Sequence, residues 1–212
     1  MNLFDLEPLF RSLEELPADE QAAGRYPGFA DRFAEVLSVI AQEQPEWAKR
    51  AALLEKLNER ELEQQRASLV EDRLEASSDP LLAFALLYTL RRYHRSEGSS
   101  PVEGTSGAEC PVCGAEADVA YLDQEGARYA VCRLCDTRWP VPRIGCLYCG
   151  EEDARKLVYY PYEEGYRLYR CKRCEHTLPA VDLREAGELD LPRLRAAAVE
   201  MQALYEAGAV EE

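Results

Sequence analysis

The chain's eight cysteines all fall between Cys110 and Cys174 and form four C-x-x-C units: Cys110/Cys113, Cys132/Cys135, Cys146/Cys149 and Cys171/Cys174. A C-x-x-C turn aims two sulfurs at one point, and a glycine directly after it, as at Gly114 and Gly150, admits the positive φ of a metal knuckle. Two knuckles at the ends of a hairpin-sized loop make a tetrahedral set of four thiolates. The gaps between successive units are 18, 10 and 21 residues. Long gaps therefore lie inside each pair of units, which predicts that the first unit joins the second and the third joins the fourth. A cross-braced pairing, first with third and second with fourth, stays open at this level. Cys110-Pro-Val-Cys113-Gly114 and Cys146-Leu-Tyr-Cys149-Gly150 coincide after a shift of 36 residues, as expected of a duplicated module.

Other cysteine chemistries fit less well. Disulfides suit neither the knuckle glycines nor the cytoplasmic location expected below. A thioredoxin-like role needs one C-x-x-C at a helix start beside a βαβ unit, and no such unit surrounds these cysteines. Hydrolysis at zinc needs an open position, which four thiolates close. Metal binding is the expectation: two ions per chain, with iron and zinc both suited to four sulfurs. His176 stands two residues past Cys174 but is superfluous beside four thiolates; His94 ends an apolar helix and carries no further signal.

The segments that hold these turns read as hairpins. Val119 to Leu122 and Arg128 to Val131 flank a turn containing Gly126, while Leu157 to Tyr160 and Tyr166 to Tyr169 flank one ending at Gly165. The tyrosines 159, 160, 162, 166 and 169 divide between the two faces of the second hairpin. Upstream there is no cysteine, and helical periodicity takes over. Leu3, Leu6, Leu9, Phe10 and Leu13 predict a short first helix, and Phe29, Phe33, Val36, Leu37 and Ile40 a second after Pro27-Gly28. Pro45 opens a third, with Trp47, Ala51, Leu54 and Leu57 inward and a charged face running on to Glu63. Asp79-Pro80 introduces Leu81 to Tyr93, apolar nearly all round and so central to a bundle. The expected architecture is α+β: a helical domain at 1–95, a Gly/Ser/Pro-rich linker at 96–109, four-cysteine ribbons at 110–144 and 145–180, and a C-terminal helical segment at 181–212.

Charge narrows the partners. Residues 1–109 hold 12 Lys/Arg against 21 Asp/Glu and residues 110–212 hold 13 against 19, so both halves are acidic and the net charge is −15. A nucleic-acid module carries a basic footprint, which disfavours that class. Residues 128–173 reverse the trend with ten Lys/Arg and six Asp/Glu, either to offset thiolate charge or to meet an acidic partner. The apolar run Leu81–Leu90 is too short to span a bilayer, which takes roughly 20 residues. MNLFDLEPLF lacks the basic start and apolar core of a secretory signal, so a cytoplasmic location is expected.

One resemblance is specific. Cys110-Pro-Val-Cys113-Gly114, Cys132-Arg-Leu-Cys135-Asp136-Thr137-Arg138-Trp139 and Val141-Pro-Arg143-Ile-Gly-Cys146, continuing through Cys149, Cys171, Cys174 and Asp190-Leu-Pro192, resemble the formate dehydrogenase accessory proteins, the FdhE family. The resemblance spans residues 110 to about 208, and no motif of the helical half adds to it. It implies a non-enzymatic maturation factor with two rubredoxin-like metal sites ligated by all eight cysteines. The implied partner is the catalytic subunit of a molybdenum- or tungsten-dependent formate dehydrogenase. Two alternatives remain beside it, a rubredoxin-like iron electron carrier and, less favoured, a zinc-ribbon nucleic-acid adaptor. Thr137, Trp139 and Arg143 are the candidate partner contacts; Trp139 serves equally as a buried wedge beside the metal.

Overall fold

The computed structural model describes residues 6–19, 26–71, 79–95, 101–102 and 107–209. Most of the expected linker, and Leu3 of the first helix, lie outside that set. The chain divides into two compact units, one of Pro8–Arg95 and one of Ser96–Glu212 with Met1–Glu7.

The first unit is helical: α1 Glu7–Glu15, α2 Phe29–Glu43, α3 Ala48–Leu54, α4 Glu59–Glu71 and α5 Pro80–His94. The apolar stripe of α2 is buried as its spacing requires. Asp79 caps α5 by accepting from the N–H groups of Leu81 and Leu82, and Pro80 occupies the first turn. Arg91 and Arg92 are buried at the far end of α5. Arg91 holds Glu14 at 2.8 Å, and Arg92 holds Asp19 at 2.9 Å and Glu35 at 2.6 Å. Arg95 adds bonds to the carbonyls of Glu14 and Leu16, so the last turn of α5 staples the segment after α1. The single helix expected from Pro45 to Glu63 is instead a 3-10 turn at Pro45–Trp47, then α3, then α4. Asn58 accepts from Glu61 N–H and the Glu61 side chain accepts from Asn58 N–H, a reciprocal cap that starts a new helix and halts the old one. No helix among the described residues is long and apolar enough to cross a membrane.

The second unit is built on one six-stranded sheet. Its strands are β1 Ala117–Leu122, β2 Arg128–Cys132, β3 Arg138–Val141, β4 Leu157–Pro161, β5 Tyr166–Cys171 and β6 Thr177–Asp182. They lie in the order β3-β2-β1-β6-β5-β4. Both hairpins form where alternation places them, and each gains a third antiparallel strand that starts three residues past a knuckle cysteine, at Arg138 and Thr177. The two three-stranded halves meet through β1 and β6, which pair in parallel with Ala120 opposite Ala180. A short helix α6, Leu183–Ala186, and a longer α7, Leu191–Glu206, follow; Asp190 caps α7 with Pro192 in its first turn.

Side chains alternate across the sheet. Val119, Tyr121, Val131, Tyr166, Leu168 and Val181 point to one face and pack with Leu194, Ala197 and Met201 of α7. Alternation sends Ala120, Ala130 and Ala180, all fully buried, to the other face. These small residues let the chain after β3 lie close over the strands: Gly145 O accepts from Arg128 and Tyr148 Oη donates to Ala117 O. The third knuckle thus rests on strands of the first half.

Candidate metal centres

The cysteines converge in two groups of four, Cys110 with Cys113, Cys132 and Cys135, and Cys146 with Cys149, Cys171 and Cys174; the sulfurs of each group all lie within 4.8 Å of one another. The cross-braced arrangement does not occur. Sulfur pairs stand 3.6 Å (Cys110–Cys135) and 3.4 Å (Cys113–Cys132) apart in the first group, and 3.5 Å (Cys146–Cys174) and 3.7 Å (Cys149–Cys171) in the second. An M–S bond of about 2.3 Å places tetrahedral sulfurs ~3.8 Å apart, so both groups match a four-thiolate site. A disulfide needs ~2.05 Å, and all eight cysteines are free.

All four knuckles share one local conformation. The N–H of the first cysteine bonds the carbonyl five residues on: Cys110 to Ala115, Cys132 to Thr137, Cys146 to Glu151 and Cys171 to His176. The residue after the second cysteine has positive φ each time, 77° at Gly114, 59° at Asp136, 68° at Gly150 and 66° at Glu175. Glycine adopts that conformation freely, whereas Asp136 and Glu175 adopt it at a cost and must be held there. Backbone N–H groups also reach sulfur, from Val112 to Cys110 at 3.4 Å and from Leu134 to Cys132 at 3.3 Å. Such donors favour thiolate over thiol.

Crowding four thiols splits their proton affinities. Hydrogen bonds from Cys113 and Cys132 draw Cys135 well below the usual thiol range, while Cys132, bonded to Cys113 and Cys135, is driven far above it. In the second group burial raises Cys174 to about 12. Burial would also raise Cys171, but the N–H groups of Cys174 and Arg173, with the Cys149 and Cys174 thiols, bring it down to about 7. One sulfur in each group thus gives up its proton more readily than its neighbours, and a dication displaces the protons of all four as it binds.

Around the first group the fold supplies a brace that the spacing of cysteines did not announce. Arg195 of α7 is 4% exposed and reaches the second knuckle, with Nε 2.8 Å from Asp118 and one Nη 2.7 Å from Asp136. The same Nη approaches the Cys132 carbonyl at 3.3 Å. Asp136 is thus fixed in its left-handed conformation by a buried ion pair. Thr137 is also buried, and its hydroxyl lies 3.1 Å from Cys135 Sγ, where it can donate to a metal-bound thiolate.

Trp139 corrects an expectation. Read as an exposed partner contact, it is 0% exposed, with Nε1 donating to Gly107 O at 3.1 Å. The next residue, Ala108, bonds Leu147 O of the third knuckle. The indole therefore secures the segment entering the first knuckle, the wedge role: β3 is the edge strand of the sheet, but the Gly107 segment is bonded against the indole. Buried Thr137 is likewise closed to a partner. Of the three, Arg143 alone is exposed, and its guanidinium bonds the Gly126 carbonyl.

The second group is more open. Cys146 and Cys171 line a cavity of about 180 Å³ together with Arg128, Tyr148, Tyr169 and His176. His176 stacks on Tyr148 with ring centroids 4.3 Å apart and is not drawn into the sulfur cluster; His94 lies 3.1 Å from the Tyr26 hydroxyl and belongs to neither cysteine group.

Comparison with known proteins converges on one family. Residues 109–143 match the family description "FdhE, central domain". A protein FdhE homolog of Aquifex aeolicus is 28% identical over 185 residues, 81% of this chain and 63% of that protein. Protein FdhE of Salmonella dublin is 35% identical over 149 residues, 65% of this chain and 48% of its own length. The chain thus spans about half to two-thirds of these relatives. The crystal structure of the FdhE protein from Pseudomonas aeruginosa covers 94% of this chain and 81% of its own with a TM-score of 0.60; at 19% identity it speaks for the fold alone.

Proposed function

We propose, starting from a chain that belongs to the FdhE family, that this protein is a non-enzymatic accessory factor needed to make active formate dehydrogenase. The carrying observation is that the FdhE central-domain match falls on the first four-cysteine group, knuckles included. Its partner is the catalytic subunit of a molybdenum- or tungsten-dependent formate dehydrogenase, met in the cytoplasm. The eight cysteines hold two metal ions, zinc or iron. Four thiolates leave no place for water or substrate on the metal, so the ions act as staples. When bound, a metal supplies folding energy to a sheet whose halves are too small to own large cores. Rigid knuckles then dock with little loss of conformational entropy.

The N–H···S bonds at the first group and the open cavity at the second also suit iron that changes oxidation state, which keeps an electron-carrier reading beside the accessory one. A deletion strain decides the first reading. Formate dehydrogenase activity should disappear while unrelated molybdoenzymes stay active, and the catalytic subunit should co-purify with tagged protein from a complemented strain. Normal formate dehydrogenase activity in the deletion strain sinks the accessory role. Zinc-loaded protein that binds the subunit yet fails to restore activity transfers the case to the electron carrier. Purified protein should carry two ions per chain, and Cys113→Ser one.

A further inference from the structure

The two cysteine groups each have one nearly buried arginine, and the two arginines differ in one respect. Arg195, beside the first group, is neutralised twice, by Asp118 and Asp136. Arg128, beside the second, is 6% exposed and has no carboxylate within ion-pair reach among the described residues. One Nη donates to the carbonyl of Gly145 at 3.0 Å, the residue that precedes Cys146. The guanidinium lies over the Tyr169 ring, 5.3 Å from its centroid, and Nε finds no partner. Burial alone pulls its proton affinity below the ordinary value, the mark of a cation taken out of water. A buried cation without an anion is costly, and folds rarely keep one. The anion is supplied once metal binds. Four thiolates around a dication carry a net charge of −2, and two of those thiolates, Cys146 and Cys171, line the same cavity as Arg128.

We infer that Arg128 is the dedicated counter-charge of the second centre, so that the two centres, alike in ligands, are unequal in affinity and in reduction potential. The first centre keeps its full −2, because the charge of Arg195 is already spent on two carboxylates. The second shares its charge with Arg128 across a medium of low dielectric constant. Three consequences follow. The second centre holds zinc more firmly than its greater openness alone would allow. With iron, Arg128 favours the more negative ferrous state and raises the potential of the second centre only. Removing the positive charge lowers both quantities there and leaves the first centre alone. Arg128 is a positioning and charge-setting residue for that centre, without being a ligand.

The inference rests on the metal reading above, and its failure is separable from the failure of that reading. If the wild-type chain binds fewer than two ions, the premise falls; if it binds two and Arg128 affects both or neither, only this inference falls. The full-length protein is loaded with zinc, and release to a chromophoric chelator is followed at fixed pH. It is then loaded anaerobically with ferrous iron, oxidised to the ferric state with ferricyanide, and titrated back with dithionite, one electron per iron. Arg128→Gln should speed one of two release phases about tenfold and lower one of two midpoints by about 59 mV, the one-electron equivalent of a tenfold change. Arg128→Lys keeps the charge while losing the planar stacking on Tyr169, and should stay within a few-fold of wild type in both assays. A lysine variant as impaired as the glutamine variant would show that shape and not charge matters. Equal changes at both centres, or none, overturn the assignment outright.

Discussion

Replacing Arg195 by Met removes the guanidinium that spans Asp118 and Asp136 while keeping much of its volume inside the unit. Two ion pairs at 2.8 and 2.7 Å disappear, and the Asp136 carboxylate, only 10% exposed, loses its cation. Breaking a buried pair from one side costs about 3–5 kcal/mol, most of it the penalty of the stranded charge. A domain of this size has ~5–15 kcal/mol in all, so the loss is a large share without being total. The damage should concentrate on the second knuckle, since Asp136 sits at φ 59° and is held there by this contact. Zinc release shows it directly: the first centre should lose its ion at least tenfold faster while the second keeps the wild-type rate. Arg195→Met combined with Asp136→Asn provides the internal check. Asparagine tolerates the left-handed conformation and carries no charge, so the double variant should recover more than half of the lost stability in a urea melt. Equal acceleration at both centres would mean general unfolding, and a double variant no better than the single would refute the stranded-charge argument.

Other expectations are briefer. Trp139→Ala should cost about 3–5 kcal/mol in a urea melt, because it empties a fully enclosed site and orphans the Gly107 carbonyl; a cost under ~1 kcal/mol would contradict the wedge role. Gly165 has φ 82°, and a Cβ there would stand 2.9 Å from Asp182 O and 3.1 Å from Ala186. Gly165→Ala should therefore destabilise by roughly 2 kcal/mol or more, combining positive-φ strain with a backbone clash. Glu35 is held below its ordinary 4.5 chiefly by its hydrogen bond to Arg92. A depressed carboxylate stabilises above its unfolded pKa, and that contribution fades as pH falls through the folded value. Glu35→Gln should thus lower the melting temperature at pH 7, and the gap to wild type should close below about pH 4.5. A gap that does not shrink at all as pH is lowered from 4.5 refutes the ionic origin.

Much of this protein was legible as local pattern. Each cysteine pair lies three residues apart, and each half is closed by a hairpin of its own, so loop lengths favoured grouping 110/113 with 132/135 and 146/149 with 171/174, and the fold removed the cross-braced alternative. The cap behaved likewise: Asp79-Pro80 starts α5 because the signal and its target are neighbours in the chain. Asn58-x-x-Glu61 was equally local and was masked by a charged face that read as continuous helix. What tertiary structure decided has contacts far apart in sequence. The parallel pairing of β1 with β6 joins residues 60 apart, Ala120 and Ala180, and no periodicity in either strand names its partner. Trp139 is buried where its indole bonds Gly107, 32 residues away in sequence; an aromatic after a knuckle is compatible with surface or core until the covering segment is known. Arginine roles separate for the same reason. Arg195 and Arg128 look alike in an acidic chain, and only the fold places two carboxylates against the first and a sulfur cluster beside the second. A charge takes its meaning from its neighbours, and those neighbours are assembled by the fold.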